Sequence, residues 1–299
     1  MADRRYSAHE LLVAPARTRP ALWRLLVGLG VVALVMLGLN TLLRAVLFFL
    51  LPDFWRSDFA DPLIQGATPA AMLILLGSFG FLVIGTGLAV RWLHHRAPLT
   101  VLGPWPLFRT QARRVGAAML IVGAILLVLP PYRLGAELQT NLPLPLWLGL
   151  LPLSLAGVLL QTGAEEFLFR GYIQQQLAAR FASPWVWMVL PSVLFGLGHY
   201  LPAQAGDNAA LIALWSAVFA MLMADLTARA GTLAPAIAVH MANNVSALVF
   251  IALPDGLSGL ALYTVSFSMA DADNIRAWLP VDFAAVFVFW LAARLAIRR

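Results

Sequence analysis

The chain has 299 residues, 61% of them hydrophobic and 11% charged, with a mean hydropathy of +0.84. That composition excludes an ordinary soluble domain, because apolar runs of about 20 residues, long enough to cross a bilayer core as helices, recur along it. The net charge of +6 comes without any basic stripe interleaved with aromatics, which excludes a nucleic-acid footprint, and the absence of Cys excludes disulfides, a thiolate nucleophile and a Cys-type metal site.

The polar, basic opening MADRRYSAHELLVAPARTRP leads into a first apolar run too long for a signal-peptide core, so residues 1–21 read as a cytoplasmic segment before an uncleaved span. Eight apolar runs follow: 22–51, 69–93, 112–131, 145–178, 185–201, 209–228, 231–253 and 281–297. Arg44 lies near the outer end of the first and reads as snorkelling to the headgroups. Between the second and third lies the loop HHRAPLTVLGPWPLFRTQARR (94–114), whose His94–His95 pair reads as solvated. The fourth run is overlong, and the fifth is short and carries Pro191. The outer connection 254–280 has an apolar first half suited to lying along the membrane surface. No strand alternation suggests an outer-membrane barrel, and no internal repeat is visible.

The expected fold is therefore an all-α polytopic membrane protein with about eight transmembrane helices. Its orientation follows from Arg, which supplies all 20 basic residues. With the N-terminus inside, the inner segments hold Arg4, Arg5, Arg17, Arg19, Arg24, Arg91, Arg96, Arg109, Arg113, Arg114, Arg180, Arg229, Arg298 and Arg299. The outer loops hold only Arg56, Arg133 and Arg276, and collect acids such as Asp53, Asp58, Asp61, Glu137, Asp207, Asp255 and Asp271. This positive-inside asymmetry places both termini in the cytoplasm and the basic face against anionic lipid. The chain divides into the segment 1–21, spans one to three with their loops (22–144), a core of spans four to seven (145–253), and an outer loop with span eight (254–299).

Ionisable and amide side chains inside spans are expensive and face a bundle interior or a water-filled cavity. They concentrate in the core: Glu165, Glu166 and Arg170 in span four, His199 in span five, Asp225 in span six, and His240, Asn243 and Asn244 in span seven. At a rise of about 1.5 Å per residue, Glu165, His199 and His240 reach depths of roughly 22, 21 and 16 Å from the cytoplasmic ends of their spans. One shared site would accommodate all three. Glu166 and Arg170 are four apart on one helix face and can neutralise each other, which leaves Glu165 to face the cavity. Taken singly, His199 reads as a hydrogen-bonded structural histidine, Asn244 as an interhelical bridge, and Asp225 as a structural partner of Arg229.

EEFLFR (165–170), FGLGH (195–199) and HMANN (240–244) match, in order, the EExxxR, FxxxH and HxxxN motifs of the CPBP family of intramembrane proteases, which the region 150–250 resembles. That family includes the type II CAAX prenyl endopeptidases and the bacterial Abi or bacteriocin-immunity-like proteins. The resemblance implies an endopeptidase in which Glu165 activates a water, His199 assists in positioning it or moving its proton, and His240 and Asn244 stabilise the oxyanion. Glu166 and Arg170 would support the site. It implies no cofactor, with zinc on Glu165, His199 and His240 as the alternative, since that ligand set also suits catalytic zinc. The expected partners are membrane lipids and a hydrophobic or lipid-anchored peptide or protein, with no nucleic acid. Arg-only basic usage and Ala richness fit a high-GC bacterial genome, hence an inner (plasma) membrane location and no assignment of prenylated substrates. The competing readings are a non-catalytic membrane scaffold or immunity protein, and a transporter relaying protons through the same groups.

Overall fold

A helix that is apolar all round suits lipid rather than water, and α1 (Leu22–Leu50) is of this kind. Its Leu26, Leu34, Leu37 and Phe49 each leave two-thirds or more of their surface uncovered. In the computed structural model, residues 4–58, 66–128 and 137–298 are described. Expectations placed on Asp61, Arg133, Arg299, the side chains of Arg4 and Asp58, and the end of the third run (129–131) lie outside the described residues.

The remaining long helices are α2 (Pro69–His94), α3 (Trp105–Val128), α4 (Leu144–Arg180), α5 (Trp185–Gly198), α6 (Ala209–Ala230), α7 (Ala234–Phe250) and α8 (Ala272–Ile297). Their starts and stops have local causes. The Thr68 side chain caps α2 by accepting from the Ala71 amide at 3.3 Å, and Asp271 caps α8 by accepting from Asn274 at 3.1 Å. Gly231 closes α6 at φ +70, where an added Cβ would meet the Ala8 carbonyl oxygen at 2.5 Å.

The protein is an all-α polytopic membrane fold. By length and composition α1, α2, α4, α6 (extended back to Pro202) and α8 can each cross a bilayer, while α5 and α7 are shorter apolar helices. α3 carries Arg109, Arg113 and Arg114 in its first half, so its apolar stretch begins only at Val115. The overlong fourth run has a structural reason. α4 is one continuous helix of 37 residues, about 55 Å long, against a hydrocarbon core of about 30 Å.

The far end of α4 is polar yet buried, and the 96–101 loop and α6 supply several of its partners. Gln174, Gln175 and Gln176 are at most 2% exposed. Gln175 donates to the Val101 carbonyl at 2.8 Å and accepts from Arg96 at 3.1 Å, and Gln174 donates to the Ala224 carbonyl at 3.2 Å. His94 belongs to this layer and is buried, which corrects the solvated reading of the His94–His95 pair. Its Nδ1 faces the Arg19 carbonyl at 3.1 Å and its Nε2 the Tyr172 hydroxyl at 2.9 Å, while His95 is exposed in the left-handed region and ends α2.

The N-terminal residues Arg4–Thr18 fold as short helical turns against the same end of the bundle. The Tyr6 hydroxyl donates to Asp225 Oδ1 at 2.8 Å, and Asp225 also accepts from Arg229 Nε at 2.8 and 2.9 Å and from Trp290 Nε1 at 3.1 Å. Burial and the Asp225 carboxylate push the Tyr6 phenol up to about 12, which keeps it a donor. Asp225 is thus a structural knot joining the N-terminal segment, α6 and α8, as its spacing from Arg229 suggests.

His9 lies 4.6 Å from the Trp187 ring and is 5% exposed, and burial lowers its pKa from 6.5 to about 4. The released segment takes up a proton that the docked one refuses, so acid favours release. The neutral His9 contributes on the order of 3 kcal/mol to docking, present in full above about pH 6.5 and lost as pH falls toward 4. Trp187 fluorescence, or the rate of proteolytic nicking near residue 15, should report release on acidification. A flat profile between pH 7.5 and 4.5 would contradict this account.

At the other end of the bundle, β1 (Leu138–Thr140) pairs antiparallel with β3 (Tyr263–Val265), which pairs parallel with β2 (Ile251–Ala252). Part of the apolar start of 254–280 packs into the protein beside this sheet. Leu260 and Ala261 are fully buried, and Asn141 Nδ2 donates to the Ser258 and Ala261 carbonyls, both at 2.8 Å. Among the described residues, the three largest apolar clusters tie the helices together. One joins α1, α2, α4, α5 and α6, a second joins α3 and α5–α8, and a third joins α2, α4 and α7.

Candidate active site

The site forms where α4, α5, α6 and α7 converge. α4 changes winding just after its two carboxylates: Phe167–Ile173 is a π-helical turn, a local widening that often accompanies functional residues. Glu166 and Arg170 both point inward, at 0% and 2% exposure, and Arg170 Nη1 donates to Glu166 Oε1 at 2.9 Å. Arg170 Nη2 donates to the Ala220 carbonyl at 2.9 Å, and its guanidinium lies 5.0 Å from the Phe195 ring centroid. A charge this deep is tolerable because it is paired with a carboxylate and further held by a carbonyl and an aromatic face.

His240 on α7 completes the cluster. Its Nδ1 lies 2.8 Å from Glu166 Oε1, its Nε2 lies 3.5 Å from Glu165 Oε2, and it is 3% exposed. One imidazole therefore spans the two adjacent carboxylates, which point to different sides of α4. The Glu165 side chain keeps 13% exposure where that of Glu166 has none. Glu165 Oε2 and Glu166 Oε2 are buried without a hydrogen-bond partner among the described groups, leaving acceptor capacity on both.

The structure brings His199 close by a different route than the sequence implies. α5 ends at Gly198, and His199 sits one residue beyond in a non-helical conformation (φ −102, ψ 6). Its Nδ1 faces the Phe195 carbonyl at 2.8 Å, and its ring stacks on Phe195 at 4.6 Å. Phe195 in turn meets His240 edge-on at 6.1 Å. Gly196 permits this arrangement, since an added Cβ would stand 2.5 Å from the Ala213 carbonyl oxygen of α6. The small residue lets α5 and α6 approach closely enough to present His199.

Asn244 lies one turn beyond His240 on the same face of α7. Its Nδ2 donates to Gln161 Oε1 at 2.8 Å, and its Oδ1 accepts from Asn243 Nδ2 at 3.0 Å. The sequence reading did not single out Gln161. Its one signal is position, four residues before Glu165 in LQTGAEE and so on the same helix face.

Among the described residues no three His, Asp or Glu side chains are grouped to hold a metal ion. His240 Nδ1 faces Glu166 Oε1 at 2.8 Å, and His199 packs on Phe195, which meets the His240 ring edge-on.

Residues 145–246 match the profile of the Rce1-like type II CAAX prenyl endopeptidase family, a stretch holding all the residues described above. The chain is also 25% identical over 270 residues to the uncharacterized protein YyaK of Bacillus subtilis (strain 168), covering 85% of this chain and 87% of that protein. No solved structure matches significantly.

Proposed function

Taking as premise that residues 145–246 resemble the Rce1-like type II CAAX prenyl endopeptidases, we propose that the protein is a multi-pass endopeptidase of the bacterial inner membrane. In this reading it hydrolyses a peptide bond in a hydrophobic or lipid-anchored peptide. The observation that carries the proposal is the imidazole of His240 set between Glu166 at 2.8 Å and Glu165 at 3.5 Å in the buried interior of the bundle.

Glu165 is the base. It takes a proton from water as the water oxygen attacks the scissile carbonyl carbon. His199 orients that water: the bond from Nδ1–H to the Phe195 carbonyl leaves Nε2 as an acceptor. The carbonyl electrons move onto oxygen, and His240 Nε2–H and an Asn244 N–H stabilise the resulting oxyanion. In this scheme His240 carries both ring protons, with Nδ1–H donating to Glu166. The charges of Glu165, Glu166, Arg170 and His240 then sum to zero before attack. They also sum to zero after it, because the negative charge leaves Glu165 as it appears on the oxyanion. No net charge is created in a low-dielectric site, where doing so would be costly. Collapse breaks the C–N bond, and the proton held by Glu165 passes to the leaving amine.

The test uses purified protein in detergent and an internally quenched hydrophobic peptide, with and without a farnesyl thioether. Cleavage of at least one form is expected, unchanged by chelators. Stoichiometric zinc with chelator-sensitive cleavage would favour the zinc alternative, and intact probes would reject the endopeptidase reading.

A further inference from the structure

An oxyanion donor is effective only if it is held in place before the charge develops, and a misplacement of about 1 Å can cost roughly 10²-fold in rate. A carboxamide needs particular restraint, because rotation by 180° exchanges its donor end for its acceptor end. Asn244 is restrained at both ends. Asn243 Nδ2 donates to its Oδ1 at 3.0 Å, and Gln161 Oε1 accepts from its Nδ2 at 2.8 Å. Of its two N–H bonds, the one given to Gln161 fixes the plane of the amide and the other is left for the substrate.

Gln161 is well placed for this. It is 7% exposed, so water competes little for its carbonyl oxygen. It belongs to α4, one turn before Glu165, whereas Asn244 belongs to α7. The same face of one helix thus presents the base and, one turn away, the acceptor that registers α7 against it. We infer that Gln161 is the positioning residue for Asn244, fixing the distance and orientation of the oxyanion donor relative to Glu165. The inference rests on the endopeptidase reading and adds to it a residue with no charge and no contact with the reacting atoms.

An ordinary interhelical hydrogen bond would affect stability and leave turnover of the folded protein intact, so the test reads kcat. With the quenched peptide that the wild type cleaves, Gln161→Met, isosteric but without the acceptor, should lower kcat about tenfold with KM unchanged. Asn244→Ala should lower kcat about 10²-fold or more. The double variant should be no slower than Asn244→Ala alone, because Gln161 acts only through Asn244. Should Gln161→Met not fold, Gln161→Asn withdraws the acceptor by one methylene within a polar side chain and serves the same cycle. Gln161→Glu, which keeps an acceptor at the same reach, should restore most of the turnover lost in Gln161→Met.

Full kcat in Gln161→Met or Gln161→Asn would overturn the positioning role, and so would an equal loss from the Gln161 change whether Asn244 is intact or already replaced by alanine. If Glu165→Gln abolishes cleavage in the same assay, that result leaves the endopeptidase reading standing. Absence of wild-type cleavage would overturn both.

Discussion

Glu165→Gln is expected to lower peptide cleavage by about 10²–10⁴-fold while the protein remains folded. The amide has the size of the carboxylate but cannot accept the proton that attack by water releases. Folding survives because the charge held deepest in the bundle is that of Glu166, which is fully buried and bonded to Arg170 at 2.9 Å and to His240 at 2.8 Å. Glu165 keeps partial exposure and approaches His240 only at 3.5 Å, beyond good hydrogen-bond range. Its neutralisation should cost less stability than the loss of Arg170 does. Cleavage rate and thermal unfolding measured in the same detergent check both halves. Full proteolysis by this variant would remove Glu165 from the mechanism.

Arg170→Met is expected to destabilise the protein by about 3–5 kcal/mol, the size associated with stranding one member of a buried ion pair. The substitution removes the 2.9 Å donors to Glu166 and to the Ala220 carbonyl and the cation beside Phe195. Glu166, at 0% exposure, would then face apolar surroundings with only His240 as partner. Replacing both members by Met should recover part of the loss, since an apolar pair needs no desolvation of charge. The double variant should still be inactive, because His240 loses the acceptor for its Nδ1 proton. Reversible denaturation in detergent gives the stabilities, and an Arg170→Met protein as stable as the wild type would contradict this account of the pair.

The motif residues were legible because charge inside an apolar run has few harmless explanations. Glu166 and Arg170 pair as helical spacing suggests, and His240 joins Glu166 from another helix. Helical spacing alone could not show that α5 stops at Gly198, since His199 follows it with no break in hydropathy. Gln161 and His94 were illegible for a shared reason: each is defined by a partner on another element. Asn244 lies 83 positions from Gln161, and Tyr172 lies 78 from His94. Periodicity reports which face a residue occupies, not what waits across the gap. The burial of 258–261 was hidden likewise, because an apolar stretch reads alike against a membrane surface or under a small sheet.

The central claim is that Glu165 drives hydrolysis of a membrane peptide. It is tested most directly by comparing membrane-fraction peptides from cells carrying the wild type with those from cells carrying Glu165→Gln at matched abundance. The account predicts one or more membrane-associated proteins with new termini only in the wild type, accumulating uncut in the variant. Identical termini in both strains, with the biological activity of the protein retained by the variant, would contradict it and favour the scaffold reading.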